Sequence, residues 1–123
     1  MPPWELHART RQFALTVARF CRTLPKTDEA REAARQLREA ANSVRSNYRA
    51  SRKGRSRAEF EAKLGIVWEE ADECVDWLEY IHDAKIASRP ALLQEARELA
   101  KIFAKSLKTS RQNTRRLKNL PSS

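Results

Sequence analysis

Apolar residues recur along most of the chain at steps of three and four, the spacing that lines one face of an α-helix. Leu6, Phe13, Val17, Phe20 and Leu24 mark a first helix over about 4–23, which Leu24-Pro25 ends. Thr27 then serves as an N-cap, and Asp28 and Glu29 place negative charge in the first turn, where the helix dipole favours it. The second helix runs over 28–51 and turns Ala30, Ala33, Ala34, Leu37, Ala40, Ala41, Val44 and Tyr48 inward. Gly54, in the turn Arg52-Lys53-Gly54-Arg55, suits a helix C-terminus in left-handed conformation. Ser56 and Glu59 are spaced as a capping box, so a third helix spans 57–83 with Phe60, Leu64, Val67, Ala71, Cys74, Val75, Leu78 and Ile81 on one face. Ser88-Arg89-Pro90 caps a fourth helix over 89–117, whose inner face carries Leu92, Ala96, Leu99, Phe103, Leu107 and Ser110.

Four amphipathic helices joined by three short connections predict an all-α fold, an antiparallel up-down-up-down four-helix bundle. The 123 residues suffice for one hydrophobic core, so residues 1–118 form a single domain and 119–123 a frayed tail. Only two glycines occur, and Ala, Leu, Arg, Glu and Lys dominate, which argues against sheets. No apolar run is long enough to span a membrane and the N-terminus lacks the order of a secretory signal, so the expectation is a cytoplasmic protein with no membrane partner. On the third helix, Ile66, Trp77, Tyr80 and Ala84 fall roughly opposite the core stripe, a patch that suits a subunit interface, or else an unremarkable surface or a broader internal core.

Charge adds a second layer to the pattern. The chain has 25 Lys and Arg against 16 Asp and Glu, a net +9. Between Arg57 and Asp83 there are nine acids and two bases, so the remaining residues carry +16. On the second helix Arg31, Arg35, Arg38, Arg45 and Arg49 form a stripe roughly 27 Å long at 1.5 Å per residue. It runs into the turn with Arg52, Lys53, Arg55 and Arg57. The fourth helix repeats the device with Arg97, Lys101, Lys105, Lys108, Arg111 and Arg115, followed by Arg116 and Lys118. Rows of this kind either are solvated faces, some paired with a neighbouring subunit's acidic helix, or bind phosphates without reading bases, or make the chain a scaffold that contacts acidic surfaces of partner proteins. Tyr48 is the one aromatic interleaved with them, so no single-strand stacking platform is expected.

Catalytic patterns are absent. A di-iron bundle needs two Glu-x-x-His motifs, and only Glu79-Tyr80-Ile81-His82 matches, since His7 has Trp4 where the motif needs Glu. Cys21 and Cys74 are far apart with no zinc spacing and read as buried free thiols. Neither HExxH nor a phosphate-cradling glycine loop occurs. The expectation is a protein without enzymatic activity, metal or cofactor.

The stretch Arg38-Glu39-Ala40-Ala41-Asn42-Ser43-Val44-Arg45-Ser46-Asn47-Tyr48-Arg49-Ala50, with Arg55-Ser56-Arg57-Ala58-Glu59-Phe60 and Lys63-Leu64-Gly65-Ile66, resembles a bacterial family. It is similar to the four-helix-bundle proteins encoded in intervening sequences of large-subunit ribosomal RNA genes, whose superfamily includes the accessory variability proteins of diversity-generating retroelements. The resemblance implies a homopentamer arranged as a barrel with a central pore. For the retroelement members it also implies binding of nucleic acid and of a reverse transcriptase. Where many relatives end the second helix with Ile-Ala-Glu-Gly, this chain has Tyr48-Arg49-Ala50-Ser51, which makes the turn more basic.

Overall fold

The computed structural model describes residues 1–121. All regular structure in it is helical: α1 Pro3–Thr23, α2 Asp28–Ser51, α3 Arg57–Asp83 and α4 Pro90–Lys118. The helices pair antiparallel in chain order, with the longest seam between α2 and α3 and the thinnest between α4 and α1. The result is an up-down four-helix bundle in which α1 lies diagonal to α3 and α2 diagonal to α4. The last two residues, part of the expected frayed tail, fall outside the described residues. Before them, the Asn119 N–H still donates to the Arg115 and Arg116 carbonyls.

The caps explain most boundaries. Thr27 accepts from the Ala30 N–H at 3.2 Å. Ser56 accepts from the Glu59 N–H at 3.1 Å, while Glu59 reaches back to the Arg55 N–H at 2.6 Å. Thr27 and Ser56 each satisfy an amide that a helix start leaves without a partner, while Glu59 binds one residue before the N-cap, so only the Ser56 half of the expected capping box forms. The α4 start is different from the expectation. Its N-cap is Arg89 with no side-chain cap, and Pro90 removes one of the orphan amides. Ser88 Oγ instead lies 2.9 Å from His82 Nδ1 across the α3–α4 connection.

Gly54 also has another role than the one its position suggests. No glycine has positive φ. A Cβ on Gly54 would sit 3.2 Å from the Phe60 N and 3.3 Å from the Ser51 O, so the residue is small because two helix ends meet there. The left-handed residue is Lys85, at φ 59. Its N–H donates to His82 O and that of Ile86 to Ile81 O, both at 3.1 Å, the pair of bonds of a Schellman motif. A side chain in that conformation costs about 1 kcal/mol that glycine avoids. Lys85→Gly is expected to stabilise the fold by up to about 1 kcal/mol, read as a higher urea midpoint with an unchanged slope.

The core follows from the helical stripes. Ala30, Ala33, Ala34, Ala40 and Ala41 of α2 are 0–4% exposed, and such small side chains let α1 and α3 approach closely. Volume comes from Val17, Leu37, Leu64, Ile81, Leu99 and Phe103, all fully buried. Tyr48 crosses the core to Phe103, with ring centroids 5.5 Å apart, and its hydroxyl donates to the Pro3 carbonyl at 3.4 Å. The thin α1–α4 seam is closed by Arg9, which binds both oxygens of Glu95 at 2.6 and 2.8 Å and Glu98 at 2.7 Å. Cys21 and Cys74 are buried and free. Burial pushes both thiols up, so neither is a ready nucleophile.

Candidate nucleic-acid interface

The antiparallel order decides which bases meet. The start of α1, the end of α2, the α2–α3 turn, the start of α3 and the end of α4 all lie at one end of the bundle. Residues 1–10, 41–69 and 105–121, which build that end, hold fourteen Lys and Arg against four Asp and Glu, namely Glu5, Glu59, Glu61 and Glu69. The rest of the chain holds the other eleven bases and twelve acids. The net +9 is therefore +10 at one end and −1 elsewhere, a polarity along the bundle axis rather than a contrast between helices alone.

On the flanks the two basic stripes do not merge. The α2 stripe and the α4 stripe belong to diagonal helices and point to different sides of the bundle. They converge only at the turn end, where Arg49, Arg52, Lys53, Arg55 and Arg57 share the solvent-exposed tip with Arg111, Arg115, Arg116 and Lys118. Arg45 is half-buried just below it, and Lys105 and Lys108 line the approach along α4. Arg31 sits in the first turn of α2 at the far end, while Arg38 and Lys101 lie nearer the middle. Arg35 is held by Glu32 at 2.7 Å and Glu39 at 3.0 Å, and Arg97 has Glu79 at 4.0 Å. Among the described residues no carboxylate lies within 4.0 Å of the guanidinium or ammonium group of any base at the tip. Arg52 additionally stacks its guanidinium over Phe60, 5.9 Å from the ring centre.

The acids of α3 are engaged unequally. Glu61 accepts hydrogen bonds from Thr114 at 2.7 Å and Ser110 at 2.8 Å, which hold its carboxyl below the usual range and tie α3 to the end of α4. Glu70 is half-buried toward α2, and burial, then Glu73, Glu69 and Glu39, push its carboxyl up. A carboxyl raised in the folded state is destabilising when ionised; the penalty is full above its folded pKa, shrinks as pH falls below that and is gone below the unfolded value. Glu70→Gln is thus expected to stabilise the fold at pH 7 by less than about 1 kcal/mol, seen as a higher melting temperature, with the advantage gone near pH 4. Melts at the two pH values check it.

The aromatic residues distribute differently from the pattern's suggestion. Trp77 is half-buried against the core, stacks edge-on to Tyr80 at 5.6 Å and donates to Glu73 at 3.4 Å. Tyr80 reaches α2 through a 2.8 Å bond to Glu29. Ile66 is exposed on the same stripe but is separated from them by Glu70 and Glu73. Tyr48 is buried and offers no ring to a ligand. Trp68, which no stripe singled out, is exposed instead, in a groove beside Leu107, Lys108, Arg111 and Arg115.

Among the described residues no group of three or more His, Cys, Asp or Glu is placed to hold a metal ion. Nor is any helix long and apolar enough to cross a membrane.

This architecture is shared with a solved structure. The crystal structure of a protein with unknown function from the S23 ribosomal protein family of Bacteroides thetaiotaomicron matches with a TM-score of 0.77 at 22% identity. The match covers 88% of this chain and 99% of that one, a likeness of fold. A comparison with curated proteins finds no match. The family model for the 23S rRNA-intervening sequence protein matches residues 4–114, nearly the whole bundle. The chain belongs to the family of 23S rRNA-intervening sequence proteins.

Proposed function

We propose that this chain is a non-enzymatic, homo-oligomeric protein that binds RNA or DNA through phosphate contacts at the turn end of the bundle, without strong sequence preference. The supporting observation is the excess of fourteen bases over four acids at that end, with no ion pair at its tip among the described residues. Unpaired guanidinium groups in water gain most by displacing counterions from a polyanion. Exposed arginines on helix ends offer no fixed fork to a base edge, so such contacts position a strand without reading it. In the closed ring of five that the family resemblance suggests, with bundles aligned along the ring axis, each subunit presents the same end to the same rim. Five tips there multiply the field felt by a polyanion.

The test is binding of fluorescein-labelled duplex and single-stranded RNA and DNA, followed by anisotropy at low and moderate salt. Affinity that falls steeply with salt supports the reading. Absence of binding at low salt overturns it.

A further inference from the structure

We propose that Trp68 and the cations of α4 beside it form a stacking site for an unpaired base of a single-stranded nucleic acid, an inference that rests on the phosphate-binding reading above. Trp68 is 40% exposed and stands at the edge of the core stripe of α3, with buried Leu64 and Ala71 on one side of it and Gly65 and Asp72 on the other. Much of its indole therefore lies outside the core. The indole N–H has no partner among the described residues, in contrast to Trp77, whose N–H donates to Glu73.

What the ring faces is the decisive feature. A groove of about 320 Å³ opens between α3 and α4, floored by Leu107 and walled by Trp68 on one side and Lys108, Arg111 and Arg115 on the other. That size is at the lower end of the range for small-molecule sites, enough for a planar ring system. The three cations follow at steps of three and four residues, a rise of about 4.5 and then about 6 Å, so they form a row along which successive phosphates can lie. None of them has a carboxylate within 4.0 Å among the described residues. Arg111 is near enough to Glu61 to help lower that carboxyl, yet the Glu61 oxygen is taken by Ser110 and Thr114. An aromatic face backed by a leucine and bordered by a row of free cations is the combination that single-strand binders use, with stacking for the base and charge for its phosphates. A purely apolar partner would leave those cations buried and unpaired. A duplex, whose bases are stacked on each other, gains nothing from the ring.

The experiment compares labelled oligo(dT) with a duplex of equal length on the intact oligomer, for the parent, Trp68→Ala and Trp68→Phe. A second arm uses the Trp4→Phe, Trp77→Phe background, where Trp68 is the sole tryptophan. Stacking predicts quenching of Trp68 emission by oligo(dT). It also predicts an approximately ten- to hundredfold weaker oligo(dT) affinity for Trp68→Ala with duplex affinity unchanged, and near-parental binding for Trp68→Phe. Unquenched emission during binding, or equal loss for both nucleic acids, overturns the stacking site and leaves phosphate binding in place. A fall in oligomer mass for Trp68→Ala overturns it in favour of a subunit contact. Failure of the parent to bind either nucleic acid removes both readings.

Discussion

Replacing Phe103 by alanine is expected to destabilise the bundle by about 3–5 kcal/mol, the largest single-residue loss in the chain. The ring is fully buried and sits where α4 faces its diagonal partner α2 across the core. Apart from Leu37, Val44 and Tyr48, the buried side chains of α2 are alanines and one serine, so that helix has little volume to move into the gap. Tyr48, the nearest ring at 5.5 Å, is anchored through its hydroxyl to Pro3 and loses that bond if it moves into the gap. The transfer and cavity contributions therefore add rather than relax away. Against a typical stability of about 5–15 kcal/mol, the variant is expected to unfold at much lower urea with an unchanged slope. A loss below about 1 kcal/mol shows instead that the core collapses around the site, and Phe103→Leu, which keeps most of the volume, supplies the comparison.

The helix count and nearly every inward residue were legible because period, cap and breaker agreed. Thr27 and the Ser56–Glu59 pair each announce a helix start through chemistry that depends only on near neighbours. The errors lie where one residue type serves two physical purposes. Gly54 is consistent with a left-handed turn or with a close approach, and only the meeting of Phe60 with Ser51 decides for the second. Lys85 gives no sign of its left-handed backbone, because that conformation is imposed by how α3 must hand over to α4. The interface had the same limit. A helical wheel shows which arginines share a face of α2, but not that α2 and α4 are diagonal, which splits the two stripes and joins them only at the tip. Trp68 was missed for a related reason: on its own helix it sits at the edge of the core stripe between Leu64 and Asp72, and its significance comes from the cations of α4 that the fold sets beside it.

Reversing three charges at the tip, Arg49→Glu, Arg52→Glu and Arg55→Glu, is expected to weaken nucleic-acid binding at low salt on the order of a hundredfold or more. Each phosphate contact contributes a slope of about 0.9 in the plot of log affinity against log salt for duplex DNA, so loss of three flattens the slope by about 2.7. All three side chains are exposed and none is ion-paired among the described residues, so folding changes little. The one packing contact given up is Arg52 over Phe60. Net charge alone predicts the same loss wherever six units of charge are removed. The control is therefore Arg31→Glu, Arg38→Glu and Lys101→Glu, an identical change in formal charge at exposed positions away from the tip. Phosphate contact at the turn end requires the tip variant to lose far more affinity and slope than the control. Equal losses overturn that assignment in favour of a diffuse field over the whole surface. A tip variant of reduced mass by light scattering means that these arginines contact the acidic α3 of a neighbouring subunit, and the basic end then serves assembly rather than a nucleic acid.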